Sequence, residues 1–369
     1  MGSGVTVIVP AHDEQEGLPA TLESVLAQTV PAERVIVVDD ASRDRTGEVA
    51  RGYGVEVLRP PANLGSKAKA QNYALPYCDS ELVLAVDADT VLATDYIERI
   101  LPAFDDPRVV VAAGNVQTRF TRTVWERGRS VEYLFGFHWH RPIQQAANSP
   151  MVCSGCCSAF RTRTLKDFGG FPERTIVEDM DFTWSQQIAG RRARYVGDAV
   201  AWAADPETLR YLRKQVWRWM AGFCQNVRLH TAELAVRKPM LAVWVLLALA
   251  EILTGPLWWS APFVLTLGLH RSVLSTAAWW LGAELAFTVP PLVYAARRRG
   301  LSLRSVLRNV PCVYPAKFVN LWYAWKAVVC ELILVPLRLS RGLTVYEKGR
   351  GPGPESPTGE APVPRGSPA

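Results

Sequence analysis

The sequence predicts an α/β domain with a parallel β-sheet, followed by helices that associate with a membrane. Over residues 5–86, short apolar strands alternate with amphipathic helices, and this alternation is typical of a sheet that is covered on both faces. Two apolar segments follow much later, at residues 239–269 and 277–296, and each is long enough to span a bilayer. A chain of 369 residues accommodates one large domain with such an appended helical part.

Four strands and three helices are expected at the start of the chain. Each strand is a run of apolar residues, and such runs indicate burial on both faces of a parallel sheet. Each helix places its apolar residues on one face. The strands are predicted at residues 5–10, 34–38, 55–58 and 82–86, and the helices at 13–28, 42–53 and 66–75.

Acidic residues follow three of these strands at the point where each strand ends. Ligands of parallel sheets bind at the carboxyl ends of the strands. Carboxylates gathered there would repel a phosphate unless they bind a divalent cation, a base or a ribose, and Mg²⁺ or Mn²⁺ can bridge them to a diphosphate. A nucleotide-diphosphate site is therefore expected, although an isolated Asp-x-Asp is also common in turns. The acidic residues are Asp13, Glu14, Asp39, Asp40, Asp87 and Asp89.

The glycine motifs of dinucleotide-binding domains and of P-loop NTPases do not occur in the sequence. This argues against an oxidoreductase and against a P-loop NTPase. Basic residues concentrate at the borders of the later apolar segments, and the formal net charge is +6. Basic borders favour the anionic cytoplasmic leaflet of a membrane. Nucleic acid is the weaker explanation of the charge, and no nucleic-acid partner is expected.

An acidic cluster and a basic, aromatic helix precede the first long apolar segment. Glu178 and Asp179 lie in the cluster, and Gln215, Arg218 and Trp219 lie in the helix. Displacement of a diphosphate requires a carboxylate to deprotonate the attacking hydroxyl and cations to hold the leaving phosphates. The alternative is that the two acids are only favourable charges at a helix N-terminus and that the helix is an amphipathic element at a membrane surface.

The two apolar segments are predicted to be transmembrane helices, although each contains an acid. Glu251 and Glu284 are costly inside a bilayer unless they face protein or water, so they are candidates for contacts between helices or for a hydrophilic path. Residues 311–337 place apolar residues at helical spacing between charges, which indicates an interfacial helix, with a third span as the alternative. Residues 351–369 are rich in Pro and Gly and are predicted to be disordered.

Six motifs, in order, resemble those of inverting family 2 glycosyltransferases, and most closely those of the membrane-integrated cellulose, hyaluronan and poly-N-acetylglucosamine synthases. The resemblance extends over about residues 5–225. It implies a GT-A fold, a nucleotide-diphosphate sugar donor, and Mn²⁺ or Mg²⁺ as cofactor. The motifs occupy residues 9–14, 38–46, 63–68, 87–89, 177–179 and 215–219.

The resemblance also implies roles for single residues. Asp40 would contact the nucleobase, Asp89 the metal, and Asp179 would be the general base with Glu178 beside it. Lys348 lies in a segment that only loosely resembles the loop that covers the nucleotide in that family. The remaining nucleotide-binding residues would be Pro10, Asp13, Glu14, Asp39, Lys67 and Asp87, and those that close over the diphosphate and the acceptor would be Gln215, Arg218 and Trp219.

These observations predict a multi-pass membrane enzyme that works at the cytosolic face and moves a sugar, from a UDP-sugar most simply, to a glycan or lipid-linked acceptor. A homo-oligomer is expected, because two spans are too few to enclose a sugar path. Two alternatives remain: transfer of one sugar to polyprenyl phosphate, and an inactive, membrane-anchored nucleotide-binding scaffold. The predicted parts are a GT-A domain (1–205), interfacial helices (206–238), two transmembrane helices (239–296), an amphipathic region (297–350) and a disordered tail (351–369).

Overall fold

A computed structural model describes residues 4–268 and 272–343 of the chain. Within these residues, eight strands form one mixed sheet in the order β3-β2-β1-β4-β7-β6-β8-β5. The strands are β1 (Val5–Ala11), β2 (Arg34–Asp39), β3 (Glu56–Leu58), β4 (Leu82–Val86), β5 (Thr90–Leu92), β6 (Val109–Thr118), β7 (Cys157–Arg161) and β8 (Arg192–Ala203).

Helices cover both faces of the sheet and continue beyond it as a helical region. A π-helical turn joins α5 to α6, and another extends α13. The helices are α1 (Leu18–Leu26), α2 (Thr46–Gly52), α3 (Lys67–Ala74), α4 (Tyr96–Ile100), α5 (Val124–Phe135), α6 (Arg141–Ala146), α7 (Thr162–Asp167), α8 (Glu178–Ile188), α9 (Leu209–Arg237), α10 (Pro239–Gly268), α11 (Val273–Arg298), α12 (Leu303–Asn309) and α13 (Val313–Ala327).

The four strands expected from the first part of the sequence are present and run parallel: β1 pairs with β2 and β4, and β2 with β3. The first two helices are shorter than predicted. Residues 13–16 form a loop in which Asp13 has a positive φ of 51° and the Glu14 N–H donates to Thr46 Oγ1. Asp44 similarly accepts the Thr46 N–H, so α2 begins only there. Polar side chains thus bind the backbone at both places, in competition with helical hydrogen bonds.

The other half of the sheet is mixed, which the sequence did not indicate. β7 lies antiparallel between β4 and β6, with Cys157 opposite Val86. Its first residue therefore lies beside the carboxyl end of β4, where the Asp87 N–H donates to Cys156 O at 3.1 Å. This register brings the loop before β7 to the edge of the sheet where the acidic residues gather.

Among the described residues, α10 is the one helix that is long and apolar enough to cross a membrane. The second predicted span falls in α11, which has no comparably apolar stretch and buries Glu284 and Thr288. Two transmembrane helices are therefore not confirmed. α13 occupies most of the predicted interfacial segment, and its interfacial position stays a prediction. Lys348 and the tail at 351–369 lie outside the described residues.

Candidate active site

One large cavity joins the sheet to the helical region. It has a volume of about 1920 Å³ and extends from the carboxyl ends of β1, β2 and β4 to helices α5, α9, α10, α11 and α13. Most of the residues predicted to act on substrate line it. These are Pro10, Glu14, Asp40, Lys67, Asp87, Asp89, Glu178, Asp179, Gln215, Arg218 and Trp219.

Asp39 and Asp40, at the end of β2, have different surroundings. Asp40 lines the cavity, and its Oδ1 accepts the Leu64 N–H at 2.7 Å. Burial raises the pKa of Asp40 above its ordinary value, and that hydrogen bond opposes the shift. Asp39 is fully buried, forms an ion pair with Arg59 and accepts the Ser42 N–H at 3.1 Å. Asp39 thus fixes the loop that positions Asp40.

Asp13 and Glu14 follow β1 in the same arrangement. Glu14 lines the cavity, whereas Asp13 Oδ1 accepts the Arg43 N–H at 2.7 Å and so ties the loop after β1 to the loop after β2. Glu14 also lies close to the metal candidate: a Cβ added at Gly17 would be 3.2 Å from Glu14 Oε2 and 3.6 Å from Asp89 Cβ. The strand-end acids therefore divide into residues that face the cavity and residues that hold its loops.

Lys67, at the start of α3, connects Asp87 at the end of β4 to the acidic pair of α8. Its Nζ forms an ion pair with Asp87, donates to Gly155 O at 3.0 Å and lies 3.8 Å from Glu178 Oε1. Burial disfavours the ammonium group, but the nearby carboxylates outweigh burial and raise the pKa of Lys67. For Glu178, burial raises the pKa, and Lys67 opposes this shift. The family motifs alone did not reveal the contact between Lys67 and Glu178.

Asp179 is held in place by two backbone amides. Its Oδ2 accepts the Gly155 N–H at 2.7 Å, and its Oδ1 accepts the Met180 N–H at 2.7 Å. Glycine at 155 permits this approach, because a Cβ there would lie 3.1 Å from Lys67 Nζ and 3.3 Å from Asp179 Oδ2. Glu178 and Asp179 do occupy the first turn of α8, where the helix dipole favours acids. That position also directs them into the cavity.

Sequence reasoning missed the residue that supports the α9 motif, Arg129 of α5. Arg129 is 5% exposed, and its Nη2 donates to Gln215 Oε1 at 3.1 Å. Its guanidinium lies 4.9 Å from the centre of the Trp219 ring, a cation–π contact. Its Nη1 donates to Glu132 Oε2 at 2.6 Å. A single Arg has no spacing signature, so the sequence offered no signal for it.

Asp205 was also missed, and it lies just before α9. Its Oδ1 lies 3.9 Å from Arg129 Nε, and it lines the cavity on the side of Gln215 and Trp219. Burial raises the pKa of Asp205 to about 6, against the attraction of Arg129. Acids, a buried cation and an aromatic ring thus meet at the part of the cavity lined by Gln215 and Trp219.

The far end of the cavity lies between α10, α11 and α13. Glu284 is buried there and accepts hydrogen bonds from Lys317 Nζ at 2.6 Å and from Trp258 Nε1 at 3.1 Å. The predicted contact between helices is therefore present for Glu284. Glu251 of α10 lines the same part of the cavity. Glu284 thus faces the interior of the chain, whereas Glu251 lines the cavity and stays exposed.

The described residues contain no group of three or more His, Cys, Asp and Glu side chains that could hold a metal. Asp89 nevertheless lines the cavity beside Asp87, with Glu14 nearby. Mg²⁺ in nucleotide sites is usually held by one or two carboxylates together with substrate phosphates and water. The residues present fit an ion that arrives with a nucleotide.

The sequence and the fold were compared with known proteins. The family model described as "Glycosyl transferase family 2" matches residues 6–169. An N-acetylglucosaminyltransferase of Rhizobium meliloti is 30% identical over 302 residues, which cover 75% of this chain and 67% of that protein. A poly-beta-1,6-N-acetyl-D-glucosamine synthase of Staphylococcus epidermidis is 27% identical over 224 residues, which cover 59% of this chain. The matched region spans about half of that relative, 54% of its length.

One solved structure shares the fold over most of its length. The mannosyltransferase PcManGT from Pyrobaculum calidifontis, in complex with GDP-Man and Mn²⁺, superposes with a TM-score of 0.61 at 23% identity. The superposition covers 86% of this chain and 87% of that one. This likeness confirms the predicted GT-A type of α/β fold.

Proposed function

Because this chain belongs to the family 2 glycosyltransferases, we propose that it transfers a sugar from a nucleotide-diphosphate sugar to a hydroxyl of a glycan or glycolipid, with inversion at the anomeric carbon. The supporting observation is the position of Asp179. It lies in one cavity with the strand-end acids on one side and with Gln215, Arg218 and Trp219 on the other.

Asp179 acts as the general base in this proposal. Its carboxylate takes the proton of the acceptor hydroxyl while that oxygen forms the new bond to the anomeric carbon. The bond from this carbon to the diphosphate breaks on the opposite face, and the nucleoside diphosphate leaves with the electron pair. The Gly155 and Met180 amides, each 2.7 Å from a carboxylate oxygen, keep Asp179 oriented for this transfer.

The donor binds at the ends of the parallel strands. Asp40, fixed by the Leu64 N–H, accepts hydrogen bonds from the nucleobase, and Asp87 lies toward the ribose. Lys67 stays charged at neutral pH because its pKa is raised, so it holds Asp87 in place and balances the charge of Glu178. We favour a UDP-sugar as the donor, and the donor panel described below tests this choice.

In this proposal Asp89, with Glu14 nearby, would hold Mn²⁺ or Mg²⁺. A bound ion would supply positive charge that stabilises a leaving diphosphate. Arg218 of α9 also lines the cavity. Its positively charged guanidinium stabilises the negative charge of the leaving diphosphate as well. The apolar ring of Trp219 packs against a sugar of the acceptor. The cation–π contact with Arg129 fixes the orientation of that ring.

The shape of the cavity supports a glycan or glycolipid acceptor. It continues past Trp219 to the helices that contain Glu251, Glu284 and Trp258. Acids in such helices are tolerated where they face protein or water. We place α10 in a membrane and the sheet on the cytosolic side. Homo-oligomerisation stays a prediction, and mass measurement in mild detergent tests it.

Nucleotide release from a panel of donors tests the proposed function. Purified protein in mild detergent with Mn²⁺ or Mg²⁺ is given UDP-sugars and GDP-sugars, with oligosaccharides or with polyprenyl phosphate as acceptor. We expect release with one donor to rise when an oligosaccharide is added and to stop when the metal is chelated. Stimulation by polyprenyl phosphate alone would favour single-sugar transfer. Absence of release with every pair would contradict catalysis and favour a nucleotide-binding scaffold.

A further inference from the structure

Residues 175–177, which lead into α8, are held against α9 by three residues on one face of that helix. A Cβ added at Gly222 would lie 2.4 Å from Val177 Cγ2, so only glycine fits this approach. Gln225 Oε1 accepts the Ile176 N–H at 3.0 Å. Asn226 Nδ2 donates to Thr175 Oγ1 at 3.5 Å. Positions i, i+3 and i+4 of α9 thus form one clamp on the chain just before Glu178 and Asp179.

The other end of Gln225 binds a segment far away in the sequence. Its Nε2 donates to Glu331 Oε1 at 3.0 Å and to Leu343 O at 2.8 Å. The Leu343 N–H donates to the same Glu331 oxygen at 2.8 Å. The amide of Gln225 therefore connects three segments: the residues before α8, Glu331 in the π-helical turn after α13, and Leu343.

Glu331 is fully buried, so its charge requires these partners. Besides Gln225 and the Leu343 N–H, Arg228 Nη2 lies 3.8 Å from its Oε2. Gly342 has a positive φ of 70°, and a Cβ there would lie 2.8 Å from both carboxylate oxygens. The chain at 342–343 is thus folded closely over Glu331. Because a buried carboxylate is costly without donors, displacement of this segment would also disturb Gln225.

We propose that Gln225 is a positioning residue for the general base, and that Glu331 together with residues 342–343 sets its position. The proposal rests on the proposed role of Asp179. The Ile176 amide lies three residues before Asp179, and its hydrogen bond fixes where the first turn of α8 begins. The Leu64 amide that fixes Asp40 comes from another element, whereas Lys67 contacts Glu178 in this turn, so a shift of the turn changes catalysis more than nucleotide binding.

The first test is Gln225→Met, which removes both polar functions at similar length. A misplacement of about 1 Å can cost about 10²-fold in rate. We expect kcat to fall about 10-fold to 100-fold, with a far smaller change in the nucleotide Kd in Mn²⁺. Gln186→Met is the control: Gln186 is also buried, on α8, but it accepts a hydrogen bond from Arg191 at the far end of that helix. Native kcat in a folded Gln225→Met variant would overturn the proposal.

A swap of the two side chains supplies the second test. Gln225→Glu and Glu331→Gln are made singly and together. In the double variant, the carboxylate introduced at position 225 still accepts the Ile176 N–H and also accepts an N–H of the amide introduced at position 331, while Leu343 O loses its donor. We expect the double variant to recover kcat relative to Gln225→Glu, in which two carboxylates face each other, and general destabilisation would not give this recovery. If Gln225→Met does not fold, this comparison decides: additive losses of kcat would overturn the proposal.

Asp179→Asn is measured in parallel to separate this inference from the proposed function. Native turnover in Asp179→Asn would contradict the role of the base itself, and the positioning role with it. An inactive Asp179→Asn variant beside a fully active Gln225→Met variant would overturn only the positioning role.

Discussion

The cavity has two sides that are built in different ways. We call the part at the ends of the parallel strands the proposed donor side, and the part lined by α5, α9, α10, α11 and α13 the proposed acceptor side. On the donor side, Asp40 is fixed by the Leu64 amide and Asp87 by an ion pair with Lys67, and both acids directly follow strands of the sheet. On the acceptor side, polar and charged side chains bind one another across helices, as Arg129 binds Gln215 and as Lys317 binds Glu284. The order of strands in the chain determines the first arrangement, whereas helix packing determines the second.

This difference predicts that substitutions can change turnover and nucleotide affinity separately. The largest loss of turnover is expected for Asp179→Asn, which removes the proposed base between the two sides. Turnover should fall about 10²-fold to 10⁴-fold, while nucleotide affinity stays nearly unchanged. Steady-state kinetics together with calorimetry of nucleotide binding measure both quantities. Asp198→Asn, an exposed position on β8, serves as the control. A large loss of nucleotide affinity would show that the two sides are not separable.

Asp89→Ala tests the donor side alone. We expect the metal-dependent part of nucleotide binding to disappear, because the variant lacks the carboxylate that is proposed to hold the cation. Calorimetry of UDP or GDP with and without Mn²⁺ measures this effect, and Asp95→Ala, in the ion pair with Arg99 on the surface, is the control. Equally strong binding by the native protein without any metal would contradict the role of Asp89.

Arg129→Met tests the acceptor side alone. The change leaves Glu132 and Asp205 without their buried cation, and removal of one partner from a buried pair costs about 3–5 kcal/mol. Unfolding in denaturant should show a loss of this size, and acceptor-dependent turnover should fall while nucleotide affinity persists. Arg127→Met is the matched control on the same helix: Arg127 Nε binds the neutral Asn309 side chain, so about 1 kcal/mol is expected. Equal losses in both variants would contradict the account.

Asp205→Asn gives the smallest expected effect, a change in the pH dependence of stability. Its folded pKa, about 6, is above the ordinary value of 3.8, so the folded protein binds the proton more tightly than the unfolded chain. Stability from this group is therefore present at low pH and is lost as pH rises from about 4 to about 6. The slope is at most about 1.4 kcal/mol per pH unit. Denaturation curves of both proteins across this range should differ by that slope, and parallel curves would contradict the shift.

The sequence predicted the donor side well because its signals are local. Apolar strands followed by acids placed Asp40, Asp87 and Asp89 at one edge of a sheet, and the parallel pairing of β1 with β2 and β4 confirms the basis of that prediction. The sequence did not distinguish Asp40 from Asp39. That distinction depends on Arg59, which binds Asp39 from the next connection and has no spacing signature.

The acceptor side could be predicted only in part. The α9 motif indicated Gln215, Arg218 and Trp219, but Arg129 comes from a helix 86 residues away in the sequence from Gln215. β7 lies antiparallel between its neighbours and brings Gly155 to Asp179. This pairing joins segments far apart in the sequence, so no local sequence pattern predicts it. Contacts of this kind are set by packing, and they appear only once the chain is folded.

The anomeric configuration of the product tests the central claim most directly, namely that Asp179 activates an acceptor hydroxyl for one displacement at a donor bound on the opposite side. The active donor from the nucleotide-sugar panel is incubated with its acceptor and metal, and proton NMR determines the configuration of the new linkage. A donor with an α-linked sugar should give a β-linked product, because a single displacement inverts the anomeric carbon. An α-linked product would contradict the account, since retention requires a second displacement or a different face of attack.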